Sequence, residues 1–120
     1  MERRTFITGT AAAALISQLP VSLASAQEKV IKFAMPQDFT KVYTFVTAEY
    51  NQGQRDYITL INSRGGTNGY IIQADVSDHG NELPRAIAAY ERAKAEGAVL
   101  IDPLSTPVAR ALVPRVLEDK

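Results

Sequence analysis

Three stretches of the chain carry the apolar patterns of β-strands. Residues 30–35 (VIKFAM) and 98–101 (AVLI) are almost continuously apolar, which is typical of strands buried on both faces. Across residues 70–76 apolar and polar side chains alternate, which is typical of a half-buried strand. We expect Pro36 to end the first strand.

Each strand is followed by a segment whose apolar residues recur at three- and four-residue steps, the spacing of an amphipathic helix. The pattern predicts a first helix over about 42–64, a second over 83–96 and a third from about 107. Gly53 falls within the apolar stripe of the first helix, so we expect it to mark close packing on a sheet. Pro114 is expected to kink or restart the third helix.

The glycine-rich stretch SRGGTNGY, residues 63–70, raises the question of a phosphate-binding loop. Such a loop follows a strand and opens a helix, whereas this one follows a helix and precedes a strand. Gly65 is placed for a left-handed helix end, and Asn68-Gly69 is a turn pair. The stretch is therefore predicted to be a helix stop and a tight turn.

The order βαβαβα with short connections predicts an α/β fold with a parallel sheet. We expect a three-layer arrangement with strand order 2-1-3, in which the alternating strand lies at one edge. The third strand, 98–101, is then apolar on both faces at the other edge, where an exposed strand favours aggregation. This pattern suggests either that the chain is truncated or that it has a partner.

Composition narrows the function classes. Among 120 residues, 13 are basic and 13 acidic, so no basic field points to nucleic acid. The absence of cysteine excludes disulfides, thiolate metal sites and a cysteine nucleophile. Hydrophobic residues make up 46% of the chain, an ordinary value for a globular domain.

The first 26 residues read as an export signal rather than as part of the fold. Arg3 and Arg4 precede a short apolar run, and Ala24-Ser25-Ala26 has the form of a signal-peptidase site. The arginine pair resembles a twin-arginine signal, and a general secretory signal is the alternative. Residues 27–120 would then form the mature chain, with eleven basic and twelve acidic residues.

A binding site is expected at the carboxyl ends of the strands, in the crevice between the first and third strands. The loop 102–107 places Ser105 or Thr106 at a helix N-terminus, where N–H groups and hydroxyls suit a carboxylate or another small anion. A plain structural cap is the alternative. Across the crevice, Thr40 and Tyr43 of the first loop could wall the pocket, although a solvated loop is also possible.

Asp75, Asp78 and Glu82 form an acidic cluster around the only histidine, His79. A metal site there is conceivable, but the spacing is not that of an EF-hand, and one histidine is weak evidence for zinc. We predict no metal and no cofactor; His79 either faces a ligand or belongs to a loop that begins the second helix. Nucleophile-elbow, Walker and zinc-protease motifs are absent, so we predict a protein that is not an enzyme.

Residues 29–120 resemble the N-terminal part of type I periplasmic binding proteins, and more narrowly the leucine/isoleucine/valine-binding family of ABC importers. Segment 62–70 is similar to that family's N-x-x-G-G-x-N-G turn, and 78–92 is similar to its second-strand loop and following helix. Segment 98–106 matches the strand and Ser/Thr loop that contact the ligand's carboxylate or amino group in the family. Asp102 stands where relatives often have glycine, which leaves the ligand type open.

The resemblance implies a periplasmic solute-binding component of an ABC importer for amino acids, amides or urea, with a membrane permease as its partner. Ser105, Thr106, Tyr43, Thr40 and His79 would be the ligand-binding residues. The family closes two lobes around its ligand, and the resemblance covers only the start of the first lobe, so this chain alone is expected to bind weakly. The alternative is an extracellular ligand-sensing domain of the same fold.

Overall fold

The computed structural model describes residues 29–119, and the predicted signal segment 1–26 lies outside them. The predicted order of three strands and three helices is confirmed. The elements are β1 (Lys29–Gln37), α1 (Thr44–Ser63), β2 (Tyr70–Asp78), α2 (Leu83–Ala95), β3 (Ala98–Ile101) and α3 (Thr106–Glu118).

The three strands form one parallel sheet in the order β2-β1-β3, as predicted. β1 pairs with β2 over its whole length, from Lys29 opposite Tyr70 to Gln37 opposite Asp78. Its pairing with β3 is shorter and ends at Ala34 opposite Ile101. The parallel arrangement sets the carboxyl ends of all three strands along one edge of the sheet.

β1 does not end at Pro36, which is a correction to the sequence prediction. The strand continues to Gln37, and Pro36 lies opposite Ser77 of β2. The pairing of β1 with β3 has already ended at Ala34, so at Pro36 the strand has a neighbour on one side only. A residue without an N–H is tolerated where one side of the strand needs no ladder bond.

The helices lie on both faces of the sheet, as the side chains of β1 show. Asn51 of α1 contacts Met35 and Gln37, whereas Lys32 reaches the carbonyl of Glu96 at the end of α2. Odd- and even-numbered residues of a strand point to opposite faces. The apolar core lies on the α2 side and consists of Ala86, Tyr90, Val108 and Leu112, with Ile87 and Ile101 packed against it.

The prediction for Gly53 is wrong. The residue is exposed, and a Cβ built on it would meet no atom within 4 Å. The apolar stripe of α1 is largely open, with Phe45 79% and Tyr57 64% exposed. The buried positions of α1 are instead the polar Thr47 and Asn51. Asn51 joins the helix to the sheet through its hydrogen bond to Gln37, and the Thr47 hydroxyl donates to the carbonyl of Tyr43.

The glycine pair after α1 ends the helix, as predicted. Gly65, with φ 93°, donates its N–H to the carbonyl of Asn62, and Gly66 donates to the carbonyl of Ile61, both at 3.0 Å. These two bonds are those of a Schellman motif, in which left-handed residues satisfy the last helical carbonyls.

The Asn68-Gly69 turn is also confirmed. Both residues have positive φ, 51° and 79°, as a type I′ turn requires. The flanking Thr67 and Tyr70 exchange two backbone hydrogen bonds of 2.8 and 2.9 Å. The stretch therefore reverses the chain and delivers it to the start of β2.

β3 forms an open edge of the described sheet. Val99 is 73% exposed and Leu100 42% exposed, and grooves of about 350 and 360 Å³ border the strand. α3 runs beside this edge without restarting at Pro114, which corrects that part of the prediction. The proline leaves the carbonyl of Arg110 without its helical donor, and Arg110 is exposed to water.

Val99→Lys is expected to reduce concentration-dependent self-association and to leave the unfolding midpoint nearly unchanged. A lysine on an exposed edge strand opposes edge-to-edge pairing, and the side chain at 99 already faces solvent. Sedimentation velocity over a concentration series measures the effect, with Val42→Lys, at a 56% exposed loop position, as the control. Equal association of both variants would contradict the edge as its cause.

Within residues 29–119, none of the helices combines the length and apolarity that a bilayer span requires.

Candidate functional site

Three loops lie together at the carboxyl edge of the sheet, and we call this edge the rim. Residues 38–43 follow β1, residues 79–82 follow β2 and residues 102–105 follow β3. In parallel sheets of this kind, ligands bind outside the carboxyl ends of the strands. The hydrogen bonds of the rim decide which of its polar groups are open to a ligand.

The first loop is built around the buried carboxylate of Asp38. Its two oxygens accept four backbone N–H groups, from Thr40, Lys41, Val42 and Tyr43, at 2.6 to 3.2 Å. Burial desolvates the carboxylate and would raise its pKa, but the four donors together hold the pKa below its usual value. Asp38 therefore fixes the backbone that leads into α1.

Asp78, the last residue of β2, ties the first loop to the second. Its carboxylate accepts the N–H of Phe39 at 3.0 Å, the N–H of Gly80 at 2.9 Å and the hydroxyl of Thr40 at 2.9 Å. Burial would raise the pKa of Asp78, but these donors and the charge of Arg85 lower it overall. The hydroxyl of Thr40, predicted to face a ligand, is thus bonded within the chain.

His79 does not face solvent, in contrast to the ligand-facing role considered from sequence. Only 1% of the residue is exposed. Its Nδ1 accepts the N–H of Asn81 at 2.8 Å, so the ring proton lies on Nε2, which donates to the carbonyl of Pro103 at 2.8 Å. Both ring nitrogens therefore have partners inside the chain, and the ring joins the second loop to the third.

Ser105 is the N-cap of α3. Its Oγ accepts the N–H of Val108 at 3.4 Å and donates to the Oδ1 of Asn81 at 2.6 Å. The residue is buried, with 6% exposed. Its hydroxyl therefore caps the helix and bridges two loops, which is the structural reading that the sequence left open.

Thr106 and Tyr43 differ from the other three predicted residues. Thr106 is exposed and is the first residue of α3, and its hydroxyl makes no hydrogen bond to any residue of 29–119. Tyr43 is half-buried at the N-terminus of α1, and its phenol likewise has no hydrogen bond within that range. Both lie on the rim, after neighbouring strands β1 and β3.

Asp102, which stands where relatives often have glycine, is surrounded by hydrogen-bond donors. Its Oδ2 accepts from Gln54 at 2.6 Å, from the hydroxyl of Tyr50 at 3.1 Å and from Gln37 at 3.2 Å. Burial, the charge of Asp102 and this hydrogen bond raise the pKa of the Tyr50 phenol. The negative charge therefore anchors α1 to the end of β3.

Sequence reasoning missed the polar residues that α1 turns toward the sheet. Gln37 is fully buried, and its Oε1 accepts from Asn51 at 3.1 Å. Thr47, Asn51 and Gln54 recur at four- and three-residue steps, which is a helical face, but a polar one. The regular spacing of these polar residues could have predicted a buried polar face. The apolar stripe of the same helix is the stronger pattern, and the prediction followed that stripe instead.

The acidic cluster around His79 is divided among different partners. Asp75 pairs with Arg92 at 3.2 Å, and Asp78 lies 3.7 Å from Arg85. In the described part of the chain, no three His, Cys, Asp or Glu side chains come together as metal ligands do.

The sheet, its flanking helices and the loops at its rim define an α/β domain of the open parallel class. The chain belongs to the periplasmic binding protein family, whose sequence model matches residues 30–120. No curated protein matches the sequence.

Solved structures of the type I periplasmic binding proteins share the fold. A fatty acid ABC transporter substrate-binding protein from Thermomonospora curvata is 30% identical over 76% of this chain, with a TM-score of 0.70. An extracellular ligand-binding receptor from Verminephrobacter eiseniae is 21% identical over 75%, with a TM-score of 0.65. A possible leucine/isoleucine/valine-binding protein from Rhodopirellula baltica is 14% identical over 77%, with a TM-score of 0.67.

The chain spans only about a quarter of the length of these structures, between 23% and 26%. The proteins that it matches are named as binding proteins or as a ligand-binding receptor. The matched region corresponds to part of one lobe.

Proposed function

We propose that this protein is the extracytoplasmic solute-binding component of an ABC importer and delivers a small molecule to a membrane permease. Family membership supports a solute-binding role. The observation that carries the site is the open Thr106 at the N-terminus of α3, on the same rim as Tyr43. Direct ligand contact falls to these two residues. Ser105, Thr40 and His79 have supporting roles, because their polar atoms are bonded within the chain.

The ligand group that fits Thr106 best is a carboxylate. The N-terminus of a helix carries partial positive charge, and the hydroxyl and N–H of Thr106 are donors at that end. An amino acid and a fatty acid both present a carboxylate, and the solved relatives include binding proteins described for each. We propose amino acids or related small amides as the ligand class. The part of the ligand beyond the carboxylate decides between an amino acid and a fatty acid.

Affinity is expected to be low. The described rim walls a ligand from one side only, whereas tight binding of a small molecule needs most of its surface buried. The measurement must therefore detect dissociation constants in the millimolar range. Titrations followed by NMR chemical shifts meet this requirement.

Thr106→Val is expected to weaken leucine binding about tenfold, because it removes one hydrogen bond to a charged group while keeping the shape of the side chain. The full 120-residue chain is titrated with leucine, octanoate and urea. Thr59→Val is the matched control, since Thr59 lies on the exposed side of α1 and bonds only to the carbonyl of Arg55.

An unchanged leucine affinity in Thr106→Val would remove Thr106 from the site. Stronger binding of octanoate than of leucine would keep the carboxylate contact and replace the amino-acid class. Binding of urea alone would exclude the carboxylate.

Export is part of the same proposal. Solved relatives are extracytoplasmic proteins, and residues 1–26 have the form of a cleavable signal. Mass spectrometry of protein recovered from the periplasm tests this. A mass that corresponds to a chain beginning at Gln27 supports export with cleavage, and an intact N-terminus would contradict it. The twin-arginine route stays a prediction from Arg3 and Arg4.

A sensing domain is the second candidate, favoured by the likeness to an extracellular ligand-binding receptor. It would use the same rim and ligand contacts. Co-purification with a permease rather than with a signalling protein distinguishes the two roles.

A further inference from the structure

A closed ring of hydrogen bonds joins the loop after β2 to the loop after β3. His79 donates through Nε2 to the carbonyl of Pro103 and accepts the N–H of Asn81 through Nδ1, both at 2.8 Å. Asn81 in turn accepts the hydroxyl proton of Ser105 at 2.6 Å. The ring returns to His79 through the backbone between Pro103 and Ser105.

The residue between the two ends of this ring is strained. Leu104 has φ 38°, in the left-handed region that a branched side chain rarely adopts. Its neighbours Pro103 and Ser105 are the residues held by the ring. Asn81, on the other loop, also has a positive φ of 55°. Backbone of this kind persists only where the surroundings impose it, and it is concentrated at ligand sites.

We propose that His79 is a positioning residue for the ligand site, because it holds the strained segment 102–105 and so sets the direction in which Thr106 enters α3. This inference rests on the proposed function, in which Thr106 contacts the ligand. His79 itself contacts no ligand, since only 1% of it is exposed. It acts through Pro103, Leu104 and Ser105, which lead directly to Thr106.

The imidazole suits this position because it has an acceptor and a donor on the same rigid ring. The shorter amide of asparagine can place an oxygen near the position of Nδ1, facing Asn81, but has nothing to reach Pro103. The longer amide of glutamine can place an N–H near the position of Nε2, facing Pro103, but leaves Asn81 without its acceptor. His79→Asn and His79→Gln therefore separate the two halves of the ring.

The test compares these two variants with the unsubstituted full chain by NMR. In His79→Asn, amide hydrogen exchange at Leu104 and Val108, whose N–H groups bond to Asp102 and Ser105, is expected to rise at least about tenfold, because the contact with the third loop is lost. Exchange at the paired residues of β1 and β2 stays unchanged. In His79→Gln, exchange at Leu104 and Val108 stays within about threefold of the original, and leucine affinity follows the same order.

Loss of affinity in His79→Asn with recovery in His79→Gln supports positioning, because a general loss of stability would affect both variants and all three strands. Unchanged exchange at Leu104 and Val108 in His79→Asn overturns the proposal. This readout needs no ligand, so it stays decisive if the unsubstituted chain binds none of the probes and the proposed function fails.

A measurement on the unsubstituted chain covers the case in which both variants fail to fold. Nitrogen-15 shifts of the imidazole report which nitrogen carries the proton, and His79 is the only histidine. We expect the proton on Nε2, with slow exchange and a coupling across the hydrogen bond to the carbonyl of Pro103. A proton on Nδ1 would break the bond with Asn81 and overturn the inference.

Discussion

Replacing Asp38 with alanine is expected to lower the free energy of unfolding by about 3 kcal/mol. The substitution leaves four backbone N–H groups of the first loop without their acceptor, at a position with 0% exposure. Hydrogen bonds to a charged group contribute more than neutral ones, and the segment that loses them leads directly into α1.

Urea unfolding followed by circular dichroism measures the loss. Asp38→Asn keeps one acceptor oxygen and is expected to lose about half as much. Asp56→Ala is the matched control, because Asp56 lies on the exposed surface of α1 and accepts only from Gln52 of the same helix. A loss in Asp38→Ala no larger than in Asp56→Ala would show that the loop does not depend on the carboxylate.

The same carboxylate makes stability depend on pH in a definite direction. The folded-state pKa values of Asp38 and Asp78 are below the ordinary value of 3.8. Their contribution is therefore present above pH 3.8 and is lost as pH falls through the lower folded-state pKa. Below pH 4, Asp38→Asn should accordingly lose less stability on acidification than the unsubstituted chain does.

Gly66→Ala is expected to destabilise the protein by about 3 kcal/mol or more. A Cβ at this position would overlap the carbonyl oxygen of Tyr70 and lie 2.6 Å from its carbonyl carbon. The backbone there also has φ 76°, which disfavours alanine independently of the overlap. Relief requires the turn to move away from the start of β2, and urea unfolding measures the cost.

Two other glycines serve as graded controls. Gly65 has φ 93° but open space around it, so Gly65→Ala should cost only about 1–2 kcal/mol of backbone strain. Gly53 is helical and open, so Gly53→Ala should stabilise the protein by about 0.5–1 kcal/mol. Equal losses at positions 65 and 66 would show that the overlap with Tyr70 is relieved at no cost.

The strand order and the role of SRGGTNGY could be predicted because both depend on local patterns. Two continuous apolar segments and one alternating segment identify the central and edge strands, and the glycines lie between a helix and a strand. Short crossovers then leave few arrangements. The position of Pro36 within β1 could not be read, because it depends on where β3 stops pairing.

The packing of α1 could not be predicted from local sequence patterns, for a different reason. Its apolar stripe is the stronger signal, yet Thr47 and Asn51 are the buried positions. The burial of Asn51 depends on Gln37, a residue 14 positions away in sequence that supplies the hydrogen-bond acceptor, whereas the Thr47 hydroxyl donates to the carbonyl of Tyr43. A polar helix face is buried only where such partners exist, and propensity carries no information about them.

Only part of the candidate site could be predicted from the sequence. The spacing of Ser105 before Pro107 places a hydroxyl at the start of α3, and the structure confirms that Ser105 is the N-cap. Which hydroxyl stays open could not be predicted, because the partner of Ser105 is Asn81, 24 residues earlier. His79 was likewise identified as unusual, but its two partners only become apparent once the loops are side by side.

The two halves of α3 differ in how much apolar contact they make. Val108 and Leu112 are anchored in the core, whereas Val113, Val116 and Leu117 border an apolar groove of about 340 Å³. Segments with less buried contact open at a lower free energy than the whole molecule. Because Val108 and Leu112 lie in the N-terminal half of α3, its C-terminal half can open while Thr106 stays in place, so the proposed ligand contact would outlast fraying of the helix end.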